Sequence, residues 1–415
     1  MHELEAILRV ALERVEPGAL VCAWLRSVDW PTEMTLLALG KSAVPMALAA
    51  KRGLGNKIVD EVVIAPQIPD SSPLGWMSSS HPRISELSAE AATLLIDQSR
   101  AARGPCLALM SGGGSALAAL PVSSITLAEK ARCLELVYAG GATIGELNVV
   151  RKHLSQVKGG RLAQVCQWPM TTLVLSDVPG DSLHSVASGP TLPDPSTYRQ
   201  ALAIVRQIAK SSGEAIPHSV LAHLERGTRG LIGETPKQIR DTDVSELLAG
   251  IDAVARAAVK VAEERNVAGV QLIPDVLQGS VDHLMRSLLP LVAKPGLWIG
   301  AGEATIKLPA NLDLQKARGG RAQHLALLLA GEIQGNASVQ ILVAGTDGID
   351  GSSDAAGAIV DGNSFTRMMQ CGVDPVESLE RFESARALAS IDAQIVLGPT
   401  AVNHADIVMI AVRDS

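Results

Sequence analysis

The sequence predicts an α/β protein of two lobes, each a mostly parallel sheet covered on both faces by helices, with a cleft between the lobes. Three observations carry this. Short apolar runs alternate with stretches of helical spacing along almost the whole chain. Several of those runs end at a glycine-containing polar turn, as strands do before a crossover helix. Between 211 and 240 the pattern lapses: Ser211-Ser212-Gly213, Pro217, Gly227, Gly230, Gly233 and Pro236 occur with no long apolar run. That segment reads as the crossing between the lobes, and it puts the domains at 1–240 and 241–415.

The elements follow in order. Leu4, Ile7, Leu8, Val10 and Ala11 fall at helical spacing within 3–15. Met34 to Leu39 is a buried strand ending at Gly40, with a helix from Lys41 to Lys51. Glu61 to Ala65, Cys106 to Met110 and Thr171 to Leu175 read as further strands, with helices at 85–102, 126–140 and 158–166. Beyond the crossing come a helix at 249–265, a strand from Val270 to Ile273 and a helix at 279–293. A strand from Leu297 to Gly300, a helix at 321–333 and strands Val339 to Ala344 and Ile407 to Val412 complete the pattern. The last strand is free to return to the N-terminal lobe.

Composition narrows the function. Of 415 residues, 47% are hydrophobic and 19% charged, a balance that supports a packed core. A net charge of −7, 2% aromatics and the lack of a Lys/Arg block argue against a nucleic-acid partner. Cys22, Cys106, Cys133, Cys166 and Cys371 form no C-x-x-C pair, so neither a zinc knuckle nor a disulfide framework is indicated. The acidic, amphipathic start Met1-His2-Glu3-Leu4-Glu5 is unlike a signal peptide. No apolar run approaches the ~20 residues that span a bilayer. The expectation is a cytoplasmic protein without a membrane partner; a homo-oligomer is left open.

Five strings point to chemistry. Ser111-Gly112-Gly113-Gly114-Ser115 follows a strand, and its glycines let backbone N–H groups approach an anion. An ordinary tight turn would not need three glycines. Leu117 stands where a dinucleotide fingerprint requires glycine. Lys41 follows Gly40 at a strand end; Thr35 breaks a Walker A match, but a lysine in a first turn opposes the helix dipole and suits a phosphate better than the helix. The string from Asn148 to Arg161 collects Arg151, Lys152, His153, Lys158 and Arg161, and Gly159-Gly160 opens the next helix with exposed N–H groups. A solvated basic face is the alternative. Asp177 and Asp181 flank a tight turn and suit Mg²⁺, although Asp and Gly are also ordinary turn residues. Arg318-Gly319-Gly320-Arg321 supplies two guanidiniums suited to phosphate or carboxylate. Glycine-rich anion loops, cations and acidic turns at strand ends suit phosphoryl transfer.

The chain resembles the class II glycerate kinases, the glycerate 2-kinase family with a MOFRL-type C-terminal domain, whose members are often labelled hydroxypyruvate reductase. The strings Arg151 to Gly160, Ser176 to Asp181, Ala187 to Pro195 and Thr346 to Gly351 carry the resemblance, with Gly40-Lys41, His81-Pro82, Gly302-Glu303 and Gly398-Pro399-Thr400. It implies a Rossmann-like larger N-terminal domain, a smaller α/β C-terminal domain and an interdomain cleft. It also implies phosphorylation of D-glycerate at the 2-hydroxyl by Mg²⁺ and ATP. Lys41 and Arg321 (or Arg318) would then stabilise the transferring group. Ser111 to Ser115 would cradle phosphate or carboxylate, and Asp177, Asp181 and Asp347 would be the Mg²⁺ candidates. Arg151, Lys158, Gly159, Gly160, Glu303 and Asn403 complete the expected binding set. Departures occur at Ala322-Gln323-His324, where many members carry Asn-Gln-Glu, and around Val402, Asn403 and Ala405, so a kinase for another small hydroxy acid stays in view. An NAD(P)H-dependent reductase is the rival, and it lacks its fingerprint here. A non-catalytic sensor of sugar acids would not need the metal carboxylates.

Overall fold

The computed structural model describes residues 3–30, 33–176, 182–309, 312, 317–402 and 405–413. They divide into two compact units, one of residues 17–248 and one that joins residues 1–16 to 249–415. The boundary therefore lies at 248/249 rather than 240, and the first helix belongs to the second unit. Among the described residues, no helix is long and apolar enough to cross a membrane.

The unit of residues 17–248 is built on six strands: β1 (Met34–Leu39), β2 (Ile58–Ala65), β3 (Trp76–Ser78), β4 (Cys106–Met110), β5 (Met170–Leu175) and β6 (Val244–Ala249). Their spatial order is β3-β2-β1-β4-β5-β6, and every pair from β3 to β5 is parallel. This is the order of doubly wound nucleotide-binding sheets, which reverses direction between β1 and β4. All six side chains of β1 and all five of β4 are buried, which is why both read as apolar runs, interrupted only by Thr35 in β1. On one face, Leu37, Leu39, Val62, Ile64, Ala108 and Met110 pack on Ala91, Ala92, Leu95 and Ile96 of the helix Glu86–Ala101.

The segment expected to cross between lobes is instead part of a helical layer. Helices Tyr198–Ser212 and His218–Thr228 pack with Leu127–Ala139 and Ile144–His153 around Tyr198, which is fully buried. Thr126, Thr143 and Thr197 each cap their helix through a box with Glu129, Glu146 and Gln200. Gly227 and the short apolar spacing of 218–228 masked that helix in the sequence.

The second unit holds β7 (Val270–Leu272), β8 (Leu277–Ser280), β9 (Gly296–Thr305), β10 (Val339–Gly345), β11 (Gly357–Asp361), β12 (Gln394–Ile395) and β13 (Asp406–Val412). The order is β12-β11-β10-β13-β9-β7, with β8 also on β9. Here the expectation of a mostly parallel sheet fails, since β13 runs antiparallel to both β9 and β10, and β11 antiparallel to β10 and β12. Apolar periodicity reports burial and says nothing about strand direction. The last strand lies at the centre of this sheet and does not return to the other one. Leu325, Leu329 and Ala330 of the helix Arg321–Glu332 cover Ile341, Val343 and Val360.

Candidate functional site

In the unit of residues 17–248, the turns after β1 and β4 meet where the strand order reverses, the place where open α/β sheets bind ligands. The Lys41 N–H donates to the Gly112 carbonyl (2.9 Å), and the Ser42 N–H donates to Ser111 Oγ (3.1 Å). Gly40 has φ +133°, and a Cβ there would lie 2.1 Å from Ser111 Oγ and 2.6 Å from the Ser111 carbonyl. Only glycine lets the turns approach so closely. Gly113, at φ +82°, sits between the side chains of Lys41 and His81, 3.0 Å and 3.2 Å from where its Cβ would be. The helix begins at Ala43, so Lys41 stands in the turn before it, exposed.

Lys41, Ser79, Ser80, His81 and Arg83 line a pocket of about 870 Å³ whose remaining wall includes Val44 and Ile84. Burial, and then the Lys41 charge, push the His81 imidazole below its ordinary value, so it is neutral at pH 7. His81 and Arg83 were not expected as site residues; the His81-Pro82 pair was the one signal in the sequence.

Ser115 and Arg151 are joined through two intermediates. Ser115 Oγ lies 2.7 Å from Ser188 Oγ, the Ser188 hydroxyl donates to Asn148 Oδ1 (2.9 Å), and Arg151 Nη1 donates to the same oxygen (3.3 Å). Ala187 and Ser188 have φ of 50° and 61°, a left-handed conformation that non-glycine residues adopt at a cost. The basic string is neither a solvated face nor a set of free donors. The Gly159 and Gly160 N–H groups, expected to be exposed, donate to the carbonyls of Ser188 and Gly189 (3.1 and 2.8 Å). Lys158 is 1% exposed, and its ammonium donates to the Ala118 carbonyl (2.7 Å). Lys130, 0% exposed, reaches the Leu120 carbonyl (3.4 Å). Burial, then Arg151 and Arg161, lower the Lys130 pKa to about 7. These two lysines hold the chain that leaves the glycine loop.

In the second unit, Gly302 of β9, Asp406 of β13 and Gly345 of β10 lie in one row across three strands. The Arg321 guanidinium makes a bidentate pair with Asp406 (Nε–Oδ2 2.7 Å, Nη2–Oδ1 3.1 Å) and reaches Glu303 Oε1 (3.1 Å). Burial alone would lower the Arg321 pKa, but Asp406 and then Glu303 raise it, so the charge is fixed. Asp350 accepts the N–H groups of Gly320, Ala322 and Gln323 (3.1, 3.1 and 2.8 Å), closing the start of the helix Arg321–Glu332. A Cβ at Gly320 would lie 2.2 Å from Asp350 Oδ1, which gives one glycine of Arg318-Gly319-Gly320-Arg321 a structural role.

Arg321, Asp347, Asp350, Asp406, His324 and Phe382 line a pocket of about 570 Å³. His324 and Phe382 stack at 5.0 Å and 12°. Burial lowers the His324 pKa to about 4, leaving it neutral. Arg318 lines a different pocket, with Ser353, Asp354 and Arg386. Asp177, Asp181 and Asn403 lie outside the described residues.

Among the described residues, no group of three His, Cys, Asp or Glu side chains is placed to hold a metal ion. Asp350 and Asp406 spend their oxygens on N–H groups. Asp347 Oδ1 accepts the Ile349 N–H (3.2 Å), and its carboxylate is otherwise open to the pocket. A Mg²⁺ ion held chiefly by phosphates and water needs only one or two carboxylates, so Asp347 fits one ligand position.

Residues 3–225 match a domain of unknown function, DUF4147, and residues 296–406 match the MOFRL family. The D-glycerate 2-kinase of Thermotoga maritima is 33% identical over 97% of this chain and 96% of its own. The chain belongs to the glycerate 2-kinase family. A crystal structure of glycerate kinase from Thermotoga maritima superposes with a TM-score of 0.88 at 31% identity, covering 98% of both chains. A putative hydroxypyruvate reductase of Agrobacterium vitis is likewise 33% identical over 90% of this chain and 85% of its own. The α/β architecture is shared with that glycerate kinase structure.

Proposed function

We propose that this chain transfers the γ-phosphoryl group of ATP to the 2-hydroxyl of D-glycerate, giving 2-phosphoglycerate and ADP. The whole-length likeness to a D-glycerate 2-kinase carries this reading. Two cations support it: Lys41, whose backbone is held on the glycine turn, and Arg321, whose guanidinium is fixed by its carboxylate pair.

Phosphoryl transfer passes through a loose transition state, so catalysis is positioning and charge stabilisation. Lys41 is held by its backbone bond to Gly112, and its exposed side chain lines the pocket with Ser79, Ser80 and His81, where it can meet phosphate oxygens. Neutral His81 donates or accepts a hydrogen bond there without adding charge. Gly112 to Ser115 offer backbone N–H groups to phosphate or carboxylate, whereas the Ser111 N–H, also expected there, donates to the Leu39 carbonyl (2.9 Å). Asp406 and Glu303 orient the Arg321 fork towards the pocket that Asp347 shares. Asp347 would hold a Mg²⁺ ion that arrives with the nucleotide and would neutralise phosphate charge, with Asp177 and Asp181 as the other candidates. Arg151, through Asn148 and Ser188, positions Ser115, whereas Lys158, Gly159 and Gly160 serve the loop's support. The reaction belongs to the cytoplasm, where ATP is supplied.

His324 favours a second reading, a kinase for another small hydroxy acid. It is a neutral, stacked ring in the Arg321 pocket where resembling sequences carry a carboxylate. The test runs ADP release with a panel of small hydroxy acids and Mg²⁺ beside NAD(P)H oxidation with hydroxypyruvate. ADP release with a kcat/KM optimum on D-glycerate is expected. An optimum on a different acid selects the second reading, and hydride transfer without ADP overturns both.

A further inference from the structure

Away from both pockets, two thiols face one another. Cys106 opens β4 and Cys166 follows the helix Arg161–Val165. Their sulfurs are 3.4 Å apart, and both residues are buried, at 0% and 2% exposure. The Arg240 Nη1 donates to the Cys166 carbonyl (2.5 Å), placing a guanidinium beside the pair. Arg240 also lines a pocket of about 360 Å³ with Ala163 and Gln164 of the helix that Cys166 ends. Neither cysteine lines that pocket, so a solute reaches the sulfurs only past Arg240 and the end of the helix.

We propose that Cys106 and Cys166 form a redox dithiol that closes to an intramolecular disulfide on reaction with a hydroperoxide. Closing needs the sulfurs to approach by about 1.4 Å, within the range of side-chain rotation. Cys166 is the attacking sulfur. One thiol donates to the other across this contact, and the Arg240 guanidinium at the Cys166 carbonyl, itself paired with Asp243, favours a thiolate on the Cys166 side. The Cys166 thiolate attacks one peroxide oxygen, the O–O bond breaks, and water (or the alcohol) leaves after taking up a proton. The Cys166 sulfenic acid is then attacked by the Cys106 sulfur, the S–O bond breaks, and a second water carries off the hydroxyl and the thiol proton. Two thiols are oxidised and one peroxide is reduced.

The pair sits at the amino end of β4, whereas the glycine turn follows Met110 at the other end of the same strand. At ~3.3 Å per residue, about 13 Å of buried strand separates them. The disulfide would close the chain from 106 to 166, a loop that contains the glycine turn, Asn148 and Arg151, without touching the pocket itself. The oxidised protein is therefore expected to unfold at higher temperature, by roughly 5 °C or more, because the cross-link restricts the unfolded chain.

Full-length reduced protein would be treated with hydrogen peroxide, alkylated after unfolding, and mapped by mass spectrometry. The expected product is a Cys106–Cys166 linked peptide with an intact mass lower by about 2 Da per disulfide, reversed by dithiothreitol. A C371S variant should give the same link, which separates it from oxidation at exposed Cys371. C106S should instead accumulate sulfenic or sulfinic acid at Cys166. If C106S fails to fold, the wild-type map with C371S still decides. Full alkylation of Cys106 and Cys166 under conditions that oxidise Cys371, or sulfinic acid at Cys166 in the wild type without any link, overturns the proposal.

Discussion

Lys41 is exposed, so it contributes little to packing, yet its backbone is locked to Gly112 and its Cγ borders Gly113. If its ammonium stabilises a transferring phosphoryl group, Lys41→Ala should lower kcat at least ~100-fold, the scale of losing one preorganised donor. The melting temperature should stay within about 2 °C, since surface substitutions rarely cost more than ~0.5 kcal/mol. Arg318→Ala, at a different pocket, should leave kcat within about 3-fold. Full activity in Lys41→Ala would return this lysine to the solvent. Lys130 makes the opposite kind of prediction. Burial, then Arg151 and Arg161, lower its pKa to about 7, against an ordinary value near 10.4 in the unfolded chain. Between these values the unfolded state binds more protons, so stability must rise with pH. The contribution is about 1.4 kcal/mol per pH unit across that window and flat below it. Urea unfolding from pH 6 to 9.5 should show the rise, and Lys130→Met should remove one proton's worth of slope. An unchanged slope in that variant would mean that Lys130 stays charged in the fold.

At the scale of elements, the turn after β1 has no slack. Gly40→Ala places a methyl against both the side chain and the carbonyl of Ser111 at a positive φ, so at least ~2 kcal/mol of stability and most activity should be lost. The double variant with Ser111→Ala should not recover it, because the Ser111 carbonyl still blocks the space; recovery in urea unfolding would show that the hydroxyl alone sets the constraint. The strands around this turn were legible for a simple reason. β1 and β4 are buried on both faces, so all their residues but Thr35 are apolar, and the glycines at their ends mark the turns. The basic string after Asn148 was not legible in the same way. Its charges could be read, but the helix Ile144–His153 was not expected, and the carbonyls of Ala118 and Leu120 that receive Lys158 and, from the preceding helix, Lys130 come from a separate segment. Likewise, Asp406 gave no local sign that it pairs with Arg321, 85 residues away. Antiparallel pairing of β13 with β9 and β10 escaped because burial patterns are the same in either direction.

At the scale of the whole chain, the first helix is the feature least expected from sequence order. Glu3–Arg14 shows a clear apolar stripe, but a stripe names no partner. Leu4, Ile7, Leu8, Ala11 and Leu12 are all buried, and the helix packs on Ala253–Glu264 in the unit that contains the C-terminal half. Arg14 and Glu264 add an ion pair, but it is exposed and worth little. The apolar stripe matters more: four large side chains, at about 1.5–3 kcal/mol each, together rival the net stability of a domain, about 5–15 kcal/mol. Removing residues 1–16 should therefore loosen the second unit selectively, even though it removes the beginning of the chain. In hydrogen exchange, the helix Ala253–Glu264 and β9 should lose at least ~10-fold protection, because local opening exposes their amides. β1 and the helix Ala43–Leu54, whose cores lie in the unit of residues 17–248, should keep theirs. Equal loss in both units would mean that they unfold as one cooperative body, and unchanged protection around Ala253–Glu264 would mean that the stripe contributes far less than its burial implies.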